Sequence, residues 1–295
     1  MRIFRSFVVF AAIFQFSTVP TLGQSPLPEE MACESNKDNG KACFNAGVKY
    51  SMGEGVAKDE TRATKLFMKG CSLGNASSCY NAGSQYANGQ GVAEDQALAT
   101  KLFLQSCNGG VSPGCYNAGF RYHYGLGVAK DQTRATKLAV KACDGGDALG
   151  CYDAGGQHAS GLGVAENQTR AVEYYLLACD GNVAPGCHNA SLRYLEGKGV
   201  AKDQTRATEL AVKACDGGYA LGCFNAGIQY GNGPGVTEDH TRAAALFIKA
   251  CDGGYAPGCH NAGFQYENGF GVAKDLIRAN DFFSKECAIL KKRGC

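Results

Sequence analysis

Sixteen cysteines, five histidines and one serine in a G-x-S-x-G run are the residues of this chain best suited to chemistry. Thiols can bind zinc, exchange electrons or close disulfides. Their spacing decides among these. Cys43, Cys79, Cys115, Cys151, Cys187, Cys223, Cys259 and Cys295 stand 36 residues apart, as do Cys71, Cys107, Cys143, Cys179, Cys215, Cys251 and Cys287, with Cys33 ahead of both series. The two series form C-x7-C pairs such as CDGGYAPGC, residues 251–259. That is not a zinc spacing, and an even number of cysteines in an exported chain reads as a disulfide framework.

Export is expected from residues 1–23. Arg2 and Arg5 precede a short apolar run from Phe7 to Phe16, and Thr21 and Gly23 are small residues spaced for signal-peptidase cleavage. The run is well short of the roughly 20 residues that span a bilayer. A mitochondrial intermembrane space would also oxidise thiols, but the leader lacks the Arg- and Ser-rich amphipathic character of a transit peptide. A secreted or periplasmic protein without a membrane span is therefore expected. Losing the leader removes two of 29 basic residues and leaves 27 against 27 acidic ones, a balance that gives no support for nucleic acid as a partner.

The remaining reactive types carry little. Ser112 lies in GVSPG, residues 110–114, but a nucleophile elbow needs a strand feeding a helix. No strand precedes it, and sister segments read GYALG and GYAPG. No S-x-x-K, S-D-N, K-T-G or H-E-x-x-H run occurs. Of the histidines His123, His158, His188, His240 and His260, the pair His188 and His260 share a repeat column two units apart, too far for one metal shell. They read as substituted aromatic positions, and no cofactor or metal is expected. Asn75, Asn167 and Asn189 head N-x-[ST] sequons, which matter only where secreted proteins are glycosylated.

The elements that position these residues follow from the period. Seven copies succeed one another over residues 43–295, behind a cap at 24–42 that reads as irregular. Each copy reads as helix, turn, helix. In residues 79–107 the first helix places Ala82, Gly83 and Tyr86 on one face, and Gly89 and Gly91 end it. Asp95 then caps the second helix, as do Asp59, Asp131, Asn167, Asp203, Asp239 and Asp275 in their copies. Ala99, Leu102, Phe103 and Ser106 give that helix its buried stripe. The expected fold is an all-α, right-handed superhelical solenoid, similar in plan to tetratricopeptide arrays.

Sixteen cysteines allow about two million pairings, but every copy offers the same local partner. The expected bridges are Cys33–Cys43, Cys71–Cys79, Cys107–Cys115, Cys143–Cys151, Cys179–Cys187, Cys215–Cys223, Cys251–Cys259 and Cys287–Cys295.

A unit such as CFNAGVKYSMGEGVAKDETRATKLFMKGC resembles the Sel1-like repeat, with Ala46 where that pattern prefers Leu and Cys where it usually ends in Ala. The added C-x7-C pairs are similar to those of the Helicobacter cysteine-rich protein family. That resemblance implies host or partner interaction and, for some members, β-lactamase or penicillin-binding activity. By analogy with tetratricopeptide arrays, the first helices would line a concave groove.

On those helices one face carries Asn81 and Gln85, Asn117 and Arg121, Asn189 and Arg193, and Asn225 and Gln229. Such a ladder suits the donors and acceptors of an extended peptide. The same asparagines could instead bond to the adjacent turn and stabilise the helix start. The leading reading is an exported scaffold for a peptide or protein segment; a lactam hydrolase or binder and an assembly factor in an oxidising compartment are the alternatives.

Overall fold

The computed structural model describes residues 26–35, 40–233 and 235–291. The expected leader and Cys295 lie outside them. Among the described residues all regular structure is helical, in chain order α1 (Pro28–Glu34), α2 (Lys41–Met52), α3 (Glu60–Ser72), α4 (Ala76–Asn88), α5 (Gln96–Asn108), α6 (Ser112–Tyr124), α7 (Gln132–Asp144), α8 (Ala148–Ser160), α9 (Gln168–Asp180), α10 (Ala184–Glu196), α11 (Gln204–Asp216), α12 (Ala220–Asn232), α13 (His240–Asp252), α14 (Ala256–Asn268) and α15 (Leu276–Leu290). From α2 onward, even-numbered helices are the first of each unit and odd-numbered helices the second. None is long and apolar enough to cross a membrane.

Local chemistry sets the boundaries. The carboxylate or amide at 59, 95, 131, 167, 203, 239 and 275 accepts a hydrogen bond from the backbone N–H three residues on, satisfying a donor that the helix itself leaves open. Asp131 accepts from Arg134 N–H at 2.9 Å. Asp131→Ala is expected to cost about 1 kcal/mol, read as a lower urea midpoint with an unchanged slope. Each first helix ends at a left-handed glycine, as at Gly125 with φ 79°.

Packing then follows from two alanine columns. Ala46, Ala82, Ala118, Ala154, Ala190, Ala226 and Ala262 are fully buried on first helices, and Ala63, Ala99, Ala135, Ala171, Ala207, Ala243 and Ala279 on second helices. Their small size lets the paired helices approach. Beside them, Gly47, Gly83, Gly155, Gly227 and Gly263 leave the space that the rings of Phe67, Phe103, Tyr175, Phe247 and Phe283 occupy. Ser191 stands in that glycine column, and the opposing column there holds the small Ala211 instead of a ring. Its hydroxyl donates to the Ala207 carbonyl at 2.7 Å.

Units are joined in two ways. Threonines of the second helices donate to the next unit's turn, Thr100 to the Leu126 carbonyl at 2.9 Å and Thr136 to the Leu162 carbonyl at 2.7 Å. Disulfides join the end of each second helix to the start of the next first helix. Seven of the expected bridges are present, Cys33–Cys43, Cys71–Cys79, Cys107–Cys115, Cys143–Cys151, Cys179–Cys187, Cys215–Cys223 and Cys251–Cys259. Cys287 is also disulfide-bonded; its expected partner, Cys295, lies outside the described residues.

The cap departs from the irregular segment expected, because it contains α1. Pro28 starts this helix, and Glu30 accepts from both Arg62 (2.7 and 2.8 Å) and the Tyr50 hydroxyl (2.9 Å). Glu29 pairs with Lys49 at 2.6 Å. These polar ties and the Cys33–Cys43 bridge order a helix of seven residues, too short to announce itself by periodicity.

Candidate functional site

Along the first helices the ladder columns reach cavities between successive units at two places. One, of about 190 Å³, lies between α2 and α4 and is lined by Val48, Ser51 and Met52 from one helix and Asn81, Ser84 and Gln85 from the next, with Gln90 and Phe67. A second, of about 260 Å³, lies between α6 and α8, lined by Phe120, His123 and Tyr124 and by Asp153, Gly156 and Gln157, with Leu162, Tyr152, Ser160, Tyr175 and Asn189. Seven positions of the first cavity, moved on by two 36-residue units, are seven positions of the second. The fold therefore builds the same recess twice and fills its columns differently.

The ladder is not a uniformly exposed row. Gln85, Gln157, Gln229 and Gln265 are buried, and Oε1 of each has no hydrogen-bond partner among the described residues. Gln85 Nε2 donates to Glu60 at 3.1 Å. Arg121, only 7% exposed, donates to Gln96 and lies 5.2 Å from the Phe103 ring centre, and burial pushes its pKa down. Replacing Arg121 would therefore test packing between units before it tested binding.

The asparagine column divides between the two roles expected. Asn81 and Asn189 line cavities, whereas Asn117 donates to the Pro113 carbonyl of its own helix at 2.8 Å. Asn225 sits 3.4 Å from His188 Nδ1. Arg193 is half-buried beside the Tyr175 hydroxyl and 3.9 Å from Glu196. Asn117, Arg121, Arg193, Asn225 and Gln229 line neither cavity.

Electrostatics single out the α6–α8 cavity. Asp153 occupies the column that holds Asn in the other six units. Desolvation raises its pKa to about 6, opposed by His123 and reinforced by Asp147. Burial also raises the phenols of Tyr152 and Tyr175, with Asn189 acting against the shift at both. A larger opening of about 730 Å³, lined by residues including Ile248, Phe282 and Ala288, lies at the C-terminal end of the stack. No ladder column reaches it.

The Sel1 repeat family matches residues 40–75, 76–111, 112–147, 148–183, 184–219, 220–255 and 256–285. The chain belongs to the Sel1 repeat family. A protective antigen of uropathogenic Escherichia coli strains displaying an SLR fold superposes with a TM-score of 0.83 at 27% identity, over 88% of this chain and 55% of that one. The present chain thus spans about half the length of that relative. A Sel1 repeat protein from Oxalobacter formigenes superposes at 0.71 with 22% identity, over 88% and 75% of the two chains. Helicobacter pylori cysteine rich protein B aligns at 29% identity over 42% of this chain and 89% of its own, with a TM-score of 0.35. No curated protein sequence matches at a significant level.

Within the Sel1 units the other reactive residues have structural partners. Ser112 starts α6 and donates to the Gly145 carbonyl at the end of α7, the second helix of its own unit, at 2.8 Å. His158 is buried and stacks on Tyr174 at 5.3 Å, and burial lowers its pKa; His188 is buried 5.2 Å from the Tyr219 ring centre and is shifted the same way. His260 pairs with Glu286 at 3.1 Å and His240 stacks on Phe270 at 5.7 Å. Asn75 and Asn167 cap α4 and α9. His123 alone among these histidines lines a cavity of the ladder, a placement that no sequence pattern marks.

Proposed function

We propose that this Sel1 repeat protein is an exported, disulfide-stapled scaffold that holds an extended peptide or protein segment along its first helices. The observation that carries the reading is the recess repeated on the same seven columns two units apart. With packed helices roughly 8–10 Å apart, two units separate the recesses by about 20 Å, a span of about six extended residues. One segment could therefore seat side chains in both. Rings left exposed at the second recess, Phe120 at 39% and Tyr124 at 53%, add apolar contact surface of the kind that marks interaction sites.

Export is supported by the leader-like residues 1–23 and by the bridges, which persist only in an oxidising compartment. A secreted or periplasmic location follows, with the mature chain made of the cap at 24–42 and the repeats at 43–295. Sel1 arrays commonly act as protein-interaction modules, which agrees with this reading.

Site-specific photo-crosslinking tests it. With a photoreactive phenylalanine at Met52 or Phe120, oxidised protein mixed with envelope and host-side extracts is expected to yield one shared adduct. The same probe at Lys101 or Lys137, exposed on second helices, is expected to yield none. An adduct formed only from the second helices would overturn the assignment of the face.

A further inference from the structure

The two recesses share their columns but not their chemistry. Where the α2–α4 recess has Val48, Met52 and Asn81, the α6–α8 recess has Phe120, Tyr124 and Asp153. We infer that the α6–α8 recess receives a lysine or arginine side chain of the bound segment, an assignment that rests on the scaffold reading above.

The lining offers acceptors and ring faces. Gln157 is only 6% exposed, lines the recess, and leaves Oε1 without a partner. His123 Nδ1 is likewise buried and unpartnered. Asp153, partly exposed beside them, is desolvated and receives no side-chain hydrogen bond among the described residues. A buried acceptor without a donor costs free energy, and a lysine ammonium or an arginine guanidinium brings several donors. Phe120 and Tyr124, with ring centres 4.5 Å apart, flank the same space, and Tyr152 completes its wall. Aromatic faces attract cations and pack against the methylene stems of both side chains.

Charge points the same way. His123 is the basic group acting on Asp153, and Asp147 acts against its ionisation. Arg193, on the adjoining α10, is engaged with Tyr175 and Glu196. A neutral guest would leave the desolvated carboxylate uncompensated, whereas a cationic guest would stabilise it. The sister recess, with Asn81 in the equivalent position, lacks this demand.

A random dodecapeptide library displayed on phage and panned without reductant provides the test, against the wild type and Asp153→Asn. Asparagine fills this column in the six other units, so the variant keeps the fold. Wild type is expected to enrich sequences with Lys or Arg at one fixed position, and the variant to lose that preference. In fluorescence anisotropy with the leading synthetic peptide, changing that Lys to norleucine, or Arg to citrulline, is expected to weaken wild-type binding at least about tenfold and variant binding little. Lowering the pH from 7.5 to 5 protonates Asp153 and should weaken wild-type binding more than variant binding, which retains His123, Asp147, Tyr152 and Tyr175, the titratable neighbours of that position.

Enrichment without a basic residue, or with one that Asp153→Asn leaves untouched, overturns the cation assignment and leaves the scaffold reading standing. No enrichment on either protein overturns both.

Discussion

Removing Cys143 and Cys151 together, as Cys143→Ala with Cys151→Ala, is expected to lower stability by about 2.6 kcal/mol, the chain-entropy value for a loop of nine residues. Both sulfurs are buried between α7 and α8. The loss should have a second signature, because this bridge crosses from one unit to the next near the middle of the array. A solenoid is held by contacts between neighbours only. Weakening one central junction should broaden or split the urea transition, whereas removing Cys33 and Cys43 should loosen only α1. Complete reduction goes further. Seven such loops together exceed the roughly 5–15 kcal/mol net stability of an ordinary domain. Loss of the helical circular dichroism signal on reduction is the expected result. A reduced protein that kept its urea midpoint would show that Ala–Ala and ring–Gly packing suffices and that the staples are dispensable.

The features legible in the sequence are those decided over a few consecutive residues. An Asp or Asn before each second helix caps it whatever lies beyond, and two cysteines eight apart across a turn meet once that turn forms. Recurrence made both plain, since each copy repeats the same local solution. The burial of Gln85, Arg121 and Gln229 was not legible, because their column faces the preceding unit and its depth depends on how successive pairs stack. Helical periodicity gives a direction around one axis and nothing about what arrives from the next. Asp153 shows the same limit. Its substitution for Asn was visible, but its desolvation requires the surroundings that Tyr152, Tyr175 and neighbouring helices create. Helix α1 was hidden for another reason: it is fixed by Glu30 reaching Arg62, a contact spanning 32 residues.

Stacking also decides the other large expected effect, the cost of a single methyl group at Gly127. Its φ of 68° is left-handed, so alanine there costs about 1–2 kcal/mol on conformation alone. An added Cβ would also overlap the Gln96 carbonyl and the Ala97 nitrogen, which are backbone atoms at the start of the preceding unit's second helix. They cannot turn aside as a flexible side chain would. Relief requires moving the turn, which also holds the Leu126 carbonyl against Thr100. Overpacking of this kind costs a further 1–3 kcal/mol or so, and about 3 kcal/mol in total is expected for Gly127→Ala. Gly55 separates the two terms. It occupies the same column at the start of the array, has φ 71°, and has nothing within 4 Å of the added Cβ. Gly55→Ala should therefore show the conformational cost alone. Urea midpoints for the two variants measure the difference directly: equal losses would mean that the turn is not a contact between units, whereas the larger loss at Gly127 would identify the second glycine of each G-x-G as the point where one unit rests on another.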